Sequence, residues 1–224
     1  MMIAADGWYT FTGREGEVIP NGVTRVRIHE SLTVIPARAF QFRRTIEEVE
    51  CHVDVKTVKE GAFRNCRSLR IVIMPGVEVV EHHAFAECDA LADVECDKLE
   101  IIERGAFESC QSLKSINLPS AKIVKRYAFD ECRALKNVIF GKALESIEGA
   151  FYECTSLERI TIPLKDGMIS DDDTFRGCKK LIHVNLVEGA VLRDTIAALL
   201  LEEWRNIMNE EINAINQSLP TTPA

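Results

Sequence analysis

One aromatic residue recurs along this chain at an almost constant interval. Steps of 23, 22, 22, 22, 22 and 24 residues separate its seven copies, which are Phe40, Phe63, Phe85, Phe107, Phe129, Phe151 and Phe175. Ala precedes the first six copies, a cysteine stands three residues after all but the first, and Ile or Leu stands six residues after every one. Because a unit this short cannot bury its apolar side chains alone, the copies must stack into a solenoid with one continuous core.

A second pattern follows each Phe and predicts a β-strand. Apolar residues occupy the first, fourth and sixth positions of a short stretch, as in Leu113, Ile116 and Leu118. An earlier copy begins at Val23, so the chain carries eight strand signals and seven complete turns. We expect these strands to pair in parallel along one face of a solenoid over residues 23–187, with side chains alternating between core and solvent.

The eight cysteines are interpreted mainly as packing residues. Six of them occupy equivalent positions in successive units, which is unlike a single active site with one activated nucleophile, and none forms a CxxC pair. Buried free cysteine behaves as a small apolar residue. Stacked cysteines would have Cα atoms about 4.8 Å apart, so disulfides between coils stay open as an alternative, as does metal binding.

The two ends depart from the repeat. Residues 1–22 carry Trp8, Tyr9 and Phe11 with a Gly-rich turn, and we expect a hairpin-like N-terminal cap there. Residues 188–224 are expected to form a C-terminal helix and tail, because apolar residues acquire helical spacing between 193 and 219. This helix is predicted to cover the last coil and then project. Its Trp204 and Met208 are candidates for binding a partner or for oligomerisation.

Composition and motifs exclude several functions. A net charge of −8 argues against nucleic-acid binding, and no apolar run is long enough for a membrane span. The printed start does not resemble a secretory signal, so we expect a cytoplasmic or nuclear protein with reduced thiols. Phosphate-binding, hydrolase and zinc-protease motifs do not occur, so neither catalysis nor a cofactor is expected.

Two clusters of possible ligands are interpreted as surface residues. His29 and His52 share one position of the repeat, but the next members of that column are Pro75 and Asp97. The acidic stretch 171–173, together with Asp166, lacks the spacing of a calcium loop. A two-histidine metal site and weak cation binding remain the open alternatives.

The consensus LxxIxLPxxhxxhxxxAFxxCxxL resembles the BspA-like class of leucine-rich repeats over roughly residues 18–187. The resemblance implies an α/β solenoid: a right-handed stack with a parallel sheet on one face and short turn or helical segments opposite. Members of this class include bacterial surface adhesins and many proteins of unicellular eukaryotes. The runs GREGEVIPNGVTRVRI and LEEWRNIMNEEINAINQSLP look most like intracellular-type algal members. The general role implied is protein interaction, with no catalytic residues to transfer.

The outward positions of the strands are therefore the expected binding surface. A curved parallel sheet presents side chains from many coils to one partner. The candidate contacts there are Arg70, Ile71, Ile73, Asp93, Glu95, Lys114 and Asn117. We expect a non-catalytic scaffold that binds another protein through this face, the C-terminal helix, or both. The alternatives are a secreted or surface adhesion module of the same fold and, less favoured, a metal protein or enzyme.

Overall fold

The structure, a computed structural model, describes residues 7–163, 165, 167–171 and 173–187, and the predicted C-terminal helix lies outside them. Nine longer strands are β1 Trp8–Phe11, β2 Arg25–Ile28, β4 Glu48–Glu50, β6 Ile71–Ile73, β8 Asp93–Glu95, β10 Ser115–Leu118, β12 Asn137–Phe140, β14 Arg159–Ile162 and β15 His183–Leu186. Six two-residue strands alternate with them: β3 Val34–Ile35, β5 Thr57–Val58, β7 Val79–Val80, β9 Ile101–Ile102, β11 Ile123–Val124 and β13 Ser146–Ile147.

The strands build a parallel β-solenoid of about seven turns, as the repeat predicts. The longer strands form the front face, which consists of a five-stranded sheet β1-β2-β4-β6-β8 and a four-stranded sheet β10-β12-β14-β15. The short strands form one continuous six-stranded rear sheet. Every pairing between the described strands is parallel, and equivalent repeat positions face each other, as with Val49 and Val72. The predicted columns are therefore confirmed.

The repeated Phe residues form an unbroken stack through the core. From Phe40 to Phe175, neighbouring rings lie parallel within 2–4°, with centroids 4.8–5.7 Å apart. Ring contacts of this kind contribute about 0.5–1.5 kcal/mol each beyond the burial of apolar area. The stack therefore links every coil to the next, which explains why one aromatic residue recurs at a fixed interval.

The cysteines form a second inward column, and the packing interpretation agrees with their environment. All eight are buried and free. Each cysteine of the repeat directs its Sγ at the backbone oxygen of the Phe in the preceding coil, for example Cys66 to Phe40 at 3.0 Å and Cys110 to Phe85 at 3.3 Å. Burial raises the pKa of Cys66 to about 12, so its thiolate is suppressed.

The corner around each Phe is a turn, and the expectation of helical segments there is wrong for the residues described. Residues two before and two after Phe adopt left-handed backbone conformations, as in Tyr127 (φ 62°) and Glu131 (φ 55°). The amides of Phe107 and Ser109 donate hydrogen bonds to the backbone oxygens of Ala128 and Asp130 in the next coil. Amides used between coils cannot form the i→i−4 bonds of an α-helix.

The N-terminal segment extends the stack, and the hairpin-like arrangement is wrong. Strand β1 pairs in parallel with β2, so Tyr9 and Phe11 join the core. The loop that follows is held by the Glu17 carboxylate, which accepts hydrogen bonds from the Tyr9 hydroxyl and the Thr12 amide and hydroxyl. Burial alone would raise the pKa of Glu17, but these hydrogen bonds lower it below its usual value.

Two glycines allow the coils to approach closely at the ends of front strands. A Cβ on Gly76 would lie 1.7 Å from the backbone oxygen of Val53, and one on Gly141 would lie 2.0 Å from that of Pro119. Both clashes involve backbone, which cannot move aside as a flexible side chain can. Gly at these two positions therefore permits a close local approach of the neighbouring coil.

Candidate protein-binding face

The front face presents three outward positions in each coil. One is the residue immediately before the strand, and the other two are alternate residues within it. The inward residues between them, such as Val72 and Ile116, are buried. Side chains from different coils thus lie side by side at the strand spacing of about 4.8 Å.

Strands β4, β6 and β8 carry the part of this face that we call the acidic half. Its nine outward positions are Glu47, Glu48, Glu50, Arg70, Ile71, Ile73, Ala92, Asp93 and Glu95. Five carboxylates against one arginine leave a formal charge of −4. Ile71 lies between Glu48 and Asp93 in the register, and Ile73 lies between Glu50 and Glu95. Each of these two isoleucines therefore lies between two acidic residues.

Strands β10, β12 and β14 carry the equivalent basic half. Its nine outward positions are Lys114, Ser115, Asn117, Lys136, Asn137, Ile139, Glu158, Arg159 and Thr161. Three basic residues against one glutamate leave a formal charge of +2. A shallow cavity of about 260 Å³ lies at its far edge, lined by Lys136, Arg159 and Ile182 among others. The same backbone thus displays opposite charge on its two halves.

An interruption of strand pairing separates the halves. The five-stranded sheet ends at β8 and the four-stranded sheet begins at β10, although the rear sheet continues without a break. At this junction the Cys96 Sγ lies 3.7 Å from the backbone oxygen of Asn117, and Val94 is only half-buried where its equivalents Val72 and Ile116 are buried. The front face is therefore less tightly closed between the halves than elsewhere.

At the N-terminal edge of the front face, charged side chains are engaged with their neighbours. The Arg27 Nε lies 2.9 Å from a carboxylate oxygen of Glu50, and its guanidinium lies 4.8 Å from the ring centroid of Trp8. Trp8 is 8% exposed, although it belongs to an outward column. Aromatic surface at this edge is thus covered by arginine and is not open for contact.

The structure brings seven of the predicted contacts onto one face. Arg70, Asp93, Glu95, Lys114 and Asn117 are exposed. Ile71 and Ile73 are half-buried between neighbouring strands, so only part of each side chain is open to a partner. The predicted contacts Trp204 and Met208 lie outside the described residues.

Sequence reasoning missed two more exposed aliphatic side chains on this face. Ile139 is 39% exposed and Ile182 is 58% exposed. Both occupy outward columns that can be read from the repeat, so the signal was present in the alignment. In the strand register Ile139 lies between Asn117 and Thr161, which are polar and uncharged, whereas Ile71 and Ile73 each lie between two acidic residues.

Among the residues that the structure describes, the histidines and the acidic loop form contacts with other groups. The His52 Nε2 lies within hydrogen-bond distance of the His29 backbone oxygen, at 3.1 Å, and the His29 Nδ1 lies 2.8 Å from the Ser31 hydroxyl oxygen. Asp171 and Asp173 lie near Arg126 and Arg176, while Asp166 and Asp172 are not among the described residues. Within the described ranges, no group of three or more His, Cys, Asp and Glu could hold a metal ion.

A second cavity lies at the corner behind the basic half. It measures about 380 Å³ and is lined by Arg126, Tyr127, Asp130, Tyr152 and Arg176, among others. The Asp130 Oδ1 is buried without a hydrogen-bond partner. Burial, reinforced by the charges of Glu108 and Glu131, raises the pKa of Asp130 to about 6. Arginine lies over the rings of Tyr127 and Tyr152, so these aromatic faces are already occupied.

Comparison with known proteins supports the interpretation of the repeat as a leucine-rich repeat. A family profile described as a BspA type leucine rich repeat region matches residues 21–123 and 100–193 in six copies. Among curated proteins, none matches. None of the described residues forms a helix of the length and apolarity that crossing a membrane requires. The resemblance to algal members is not tested by these comparisons and stays a prediction.

Among similar solved structures, one supports the same fold. The T. pallidum leucine rich repeat protein (TpLRR) aligns over 89% of this chain and 92% of its own, with 24% identity and a TM-score of 0.66. A leucine-rich repeat protein from Bacteroides ovatus has 24% identity over 71% of this chain and 65% of its own, with a TM-score of 0.29. An internalin (inlF) from Listeria monocytogenes has 12% identity over 75% and 55%, with a TM-score of 0.41. The first of these likenesses supports the architecture of the chain.

Proposed function

Since the chain belongs to the BspA-type leucine-rich repeat family, we propose that it is a non-catalytic scaffold that binds another protein through its front face. Leucine-rich repeat proteins of this architecture typically mediate protein interaction or adhesion. The partner makes contact with outward side chains from several coils at once. The residues expected to carry binding include Arg70, Asp93 and Glu95.

The observation that carries this proposal is the difference between the inward and the outward residues of the front strands. Inward positions repeat the same apolar types from coil to coil, while outward positions differ in charge, size and polarity. Core packing requires the first set but places no demand on the second. A varied, rigidly spaced outward surface suits recognition of one extended partner surface.

Within this proposal the protein works inside the cell. Eight buried, free cysteines are compatible with a reducing compartment. Titration of thiols on denatured protein taken directly from its native cells under trapping conditions tests the compartment. Eight titratable thiols are expected, and a loss of two or more to disulfides would favour the secreted or surface adhesion alternative.

A charge-reversal experiment tests the binding face. The front-face variant combines Arg70→Glu, Asp93→Lys and Glu95→Lys. A control variant, Glu15→Lys, Glu60→Lys and Arg104→Glu, changes the net charge by the same amount at exposed positions away from the face. Proteins captured from native lysate by the wild type and the control are expected to be lost from the front-face variant. Equal capture by all three, or capture by none, would refute the proposal.

A further inference from the structure

We infer that the acidic half of the front face recognises a basic segment of the partner that carries an aliphatic side chain. This inference rests on the proposed function and adds the chemical class of the ligand. It concerns one half of the face only, because the other half has the opposite charge.

The aliphatic part of the ligand contacts Ile71 and Ile73. These residues lie on the same face of β6, two positions apart, and both remain half-buried. The surface therefore offers a small apolar contact area at the centre of the acidic half.

The basic part of the ligand is selected by the carboxylates around that contact. Glu48 and Asp93 flank Ile71, while Glu95 flanks Ile73. Glu50 pairs with Arg27, so it contributes less to attraction of an external cation. Asp93 and Glu95 are exposed and belong to β8, the strand that borders the interruption. Cationic side chains beside an aliphatic one would complement both features of this surface.

The basic half limits where a cationic ligand can bind on the front face. Lys114, Lys136 and Arg159 repel a cationic segment that extends beyond β10, so the ligand is confined to β4, β6 and β8. Thr161, three strands from Glu95 in the same outward column, lies about 14 Å away at ordinary strand spacing. That separation exceeds the screening length of about 8 Å at physiological ionic strength, so the two positions respond independently to a charge.

Three synthetic peptides of twelve residues serve as probes. The first contains lysines with leucines at alternate positions, the second replaces each leucine by serine, and the third replaces each lysine by glutamate. Binding is followed by fluorescence anisotropy of an attached dye at 50 and 300 mM salt. The lysine–leucine peptide is expected to bind wild-type protein most tightly and to weaken at the higher salt concentration.

Matched substitutions on the two halves locate the site. On the acidic half, Glu95→Gln is expected to weaken binding of the lysine–leucine peptide about fivefold and Ile73→Ser about threefold. Thr161→Lys and Ile139→Ser, in the same outward column of the basic half, are expected to change it less than about twofold. Circular dichroism of each variant verifies that the fold is retained.

Three outcomes would overturn the inference: the absence of binding by the lysine–leucine peptide, equal binding of the glutamate–leucine peptide, or equal losses for the two halves. Each leaves the proposed function standing if the front-face variant still loses its lysate partner. Conversely, undiminished lysate capture by that variant refutes the proposed function whatever the peptides do.

Discussion

The acidic and basic halves of the front face are built on the same backbone but differ in almost every outward side chain. Beneath them the Phe stack passes from Phe85 to Phe107 without a change in ring geometry, although the front sheet is interrupted above it. Their formal charges of −4 and +2 therefore arise without any change in the core. The difference shows that architecture and recognition are encoded in alternate residues of the same strands.

Removing a ring at the junction is expected to have the largest effect, because both halves share that part of the core. Phe107→Ala should lower the free energy of unfolding by about 3–5 kcal/mol, as it leaves a cavity within the aromatic stack. Urea unfolding followed by circular dichroism measures the loss. Because stacked coils stabilise one another, both halves should become less stable together.

The neighbouring cysteine provides the control for this substitution. Cys110→Ala removes a smaller buried group and should cost about 1–2 kcal/mol while leaving partner binding unchanged. A loss of binding by this variant at unchanged stability would contradict the packing role of the cysteine column. A loss of stability as large as that of Phe107→Ala would show that the aromatic stack is not the main link between the halves.

Matched glycine substitutions test whether the two halves are packed equally tightly. Gly76→Ala follows β6 in the acidic half, and Gly141→Ala follows β12 in the basic half. Each added methyl group meets backbone of the preceding coil, so each should lower the free energy of unfolding by about 1–3 kcal/mol. Differential scanning calorimetry provides the comparison.

Gly16→Ala is the corresponding control, because a Cβ there meets nothing within 4 Å. Its positive φ of 76° still disfavours alanine, by about 1 kcal/mol. If Gly76→Ala and Gly141→Ala cost no more than this control, close approach between coils does not limit packing in either half.

The smallest effect is expected from a carboxyl group behind the basic half. The folded pKa of Asp130, about 6, lies above the ordinary value of about 3.9, so its stabilising contribution is complete below pH 4 and is lost as pH rises through 6. Asp130→Asn should remove this loss and raise stability at pH 7 by about 1 kcal/mol, after allowance for solvent screening. Chemical unfolding from pH 4 to pH 7.5 measures the change.

Asp97→Asn, two residues beyond the end of β8, is a suitable comparison, since Asp97 is exposed and the Ser120 hydroxyl donates to its backbone oxygen. This substitution should leave stability within about 0.5 kcal/mol of wild type. A wild-type pH profile that Asp130→Asn leaves unchanged would show that burial of Asp130 does not penalise its charge.

The columns of the solenoid could be predicted because they depend only on spacing. Phe107, Cys110 and Leu113 recur at fixed offsets, and identical offsets in a stack must coincide in space. The pairing of Arg27 with Glu50 follows from the same rule. The outward residues of the candidate face could be read in the same way, which is why seven of its predicted contacts lie together.

The corner and the junction could not be predicted, because they depend on backbone conformation and on small differences in fit. Gly105 and Tyr127 occupy equivalent positions with left-handed backbone, and a sequence containing tyrosine there does not signal that conformation. The interruption next to β8 lies between strands of ordinary sequence. The unpartnered oxygen of Asp130 likewise arises from three-dimensional burial and has no signature in the spacing.

The hydrogen bonds at the corners have a consequence for how such a molecule can change in length. Corner amides such as those of Phe85 and Phe107 donate hydrogen bonds to backbone oxygens of the following coil. Each coil therefore offers the same amide donors to the next coil and the same carbonyl acceptors to the preceding one. Duplication or deletion of one whole 22-residue unit therefore leaves every remaining coil correctly bonded. An added coil at the junction would move the two charged halves apart by about 4.8 Å without altering either one. The distance between the acidic half and the basic half can thus change in fixed increments of one coil while each half stays intact.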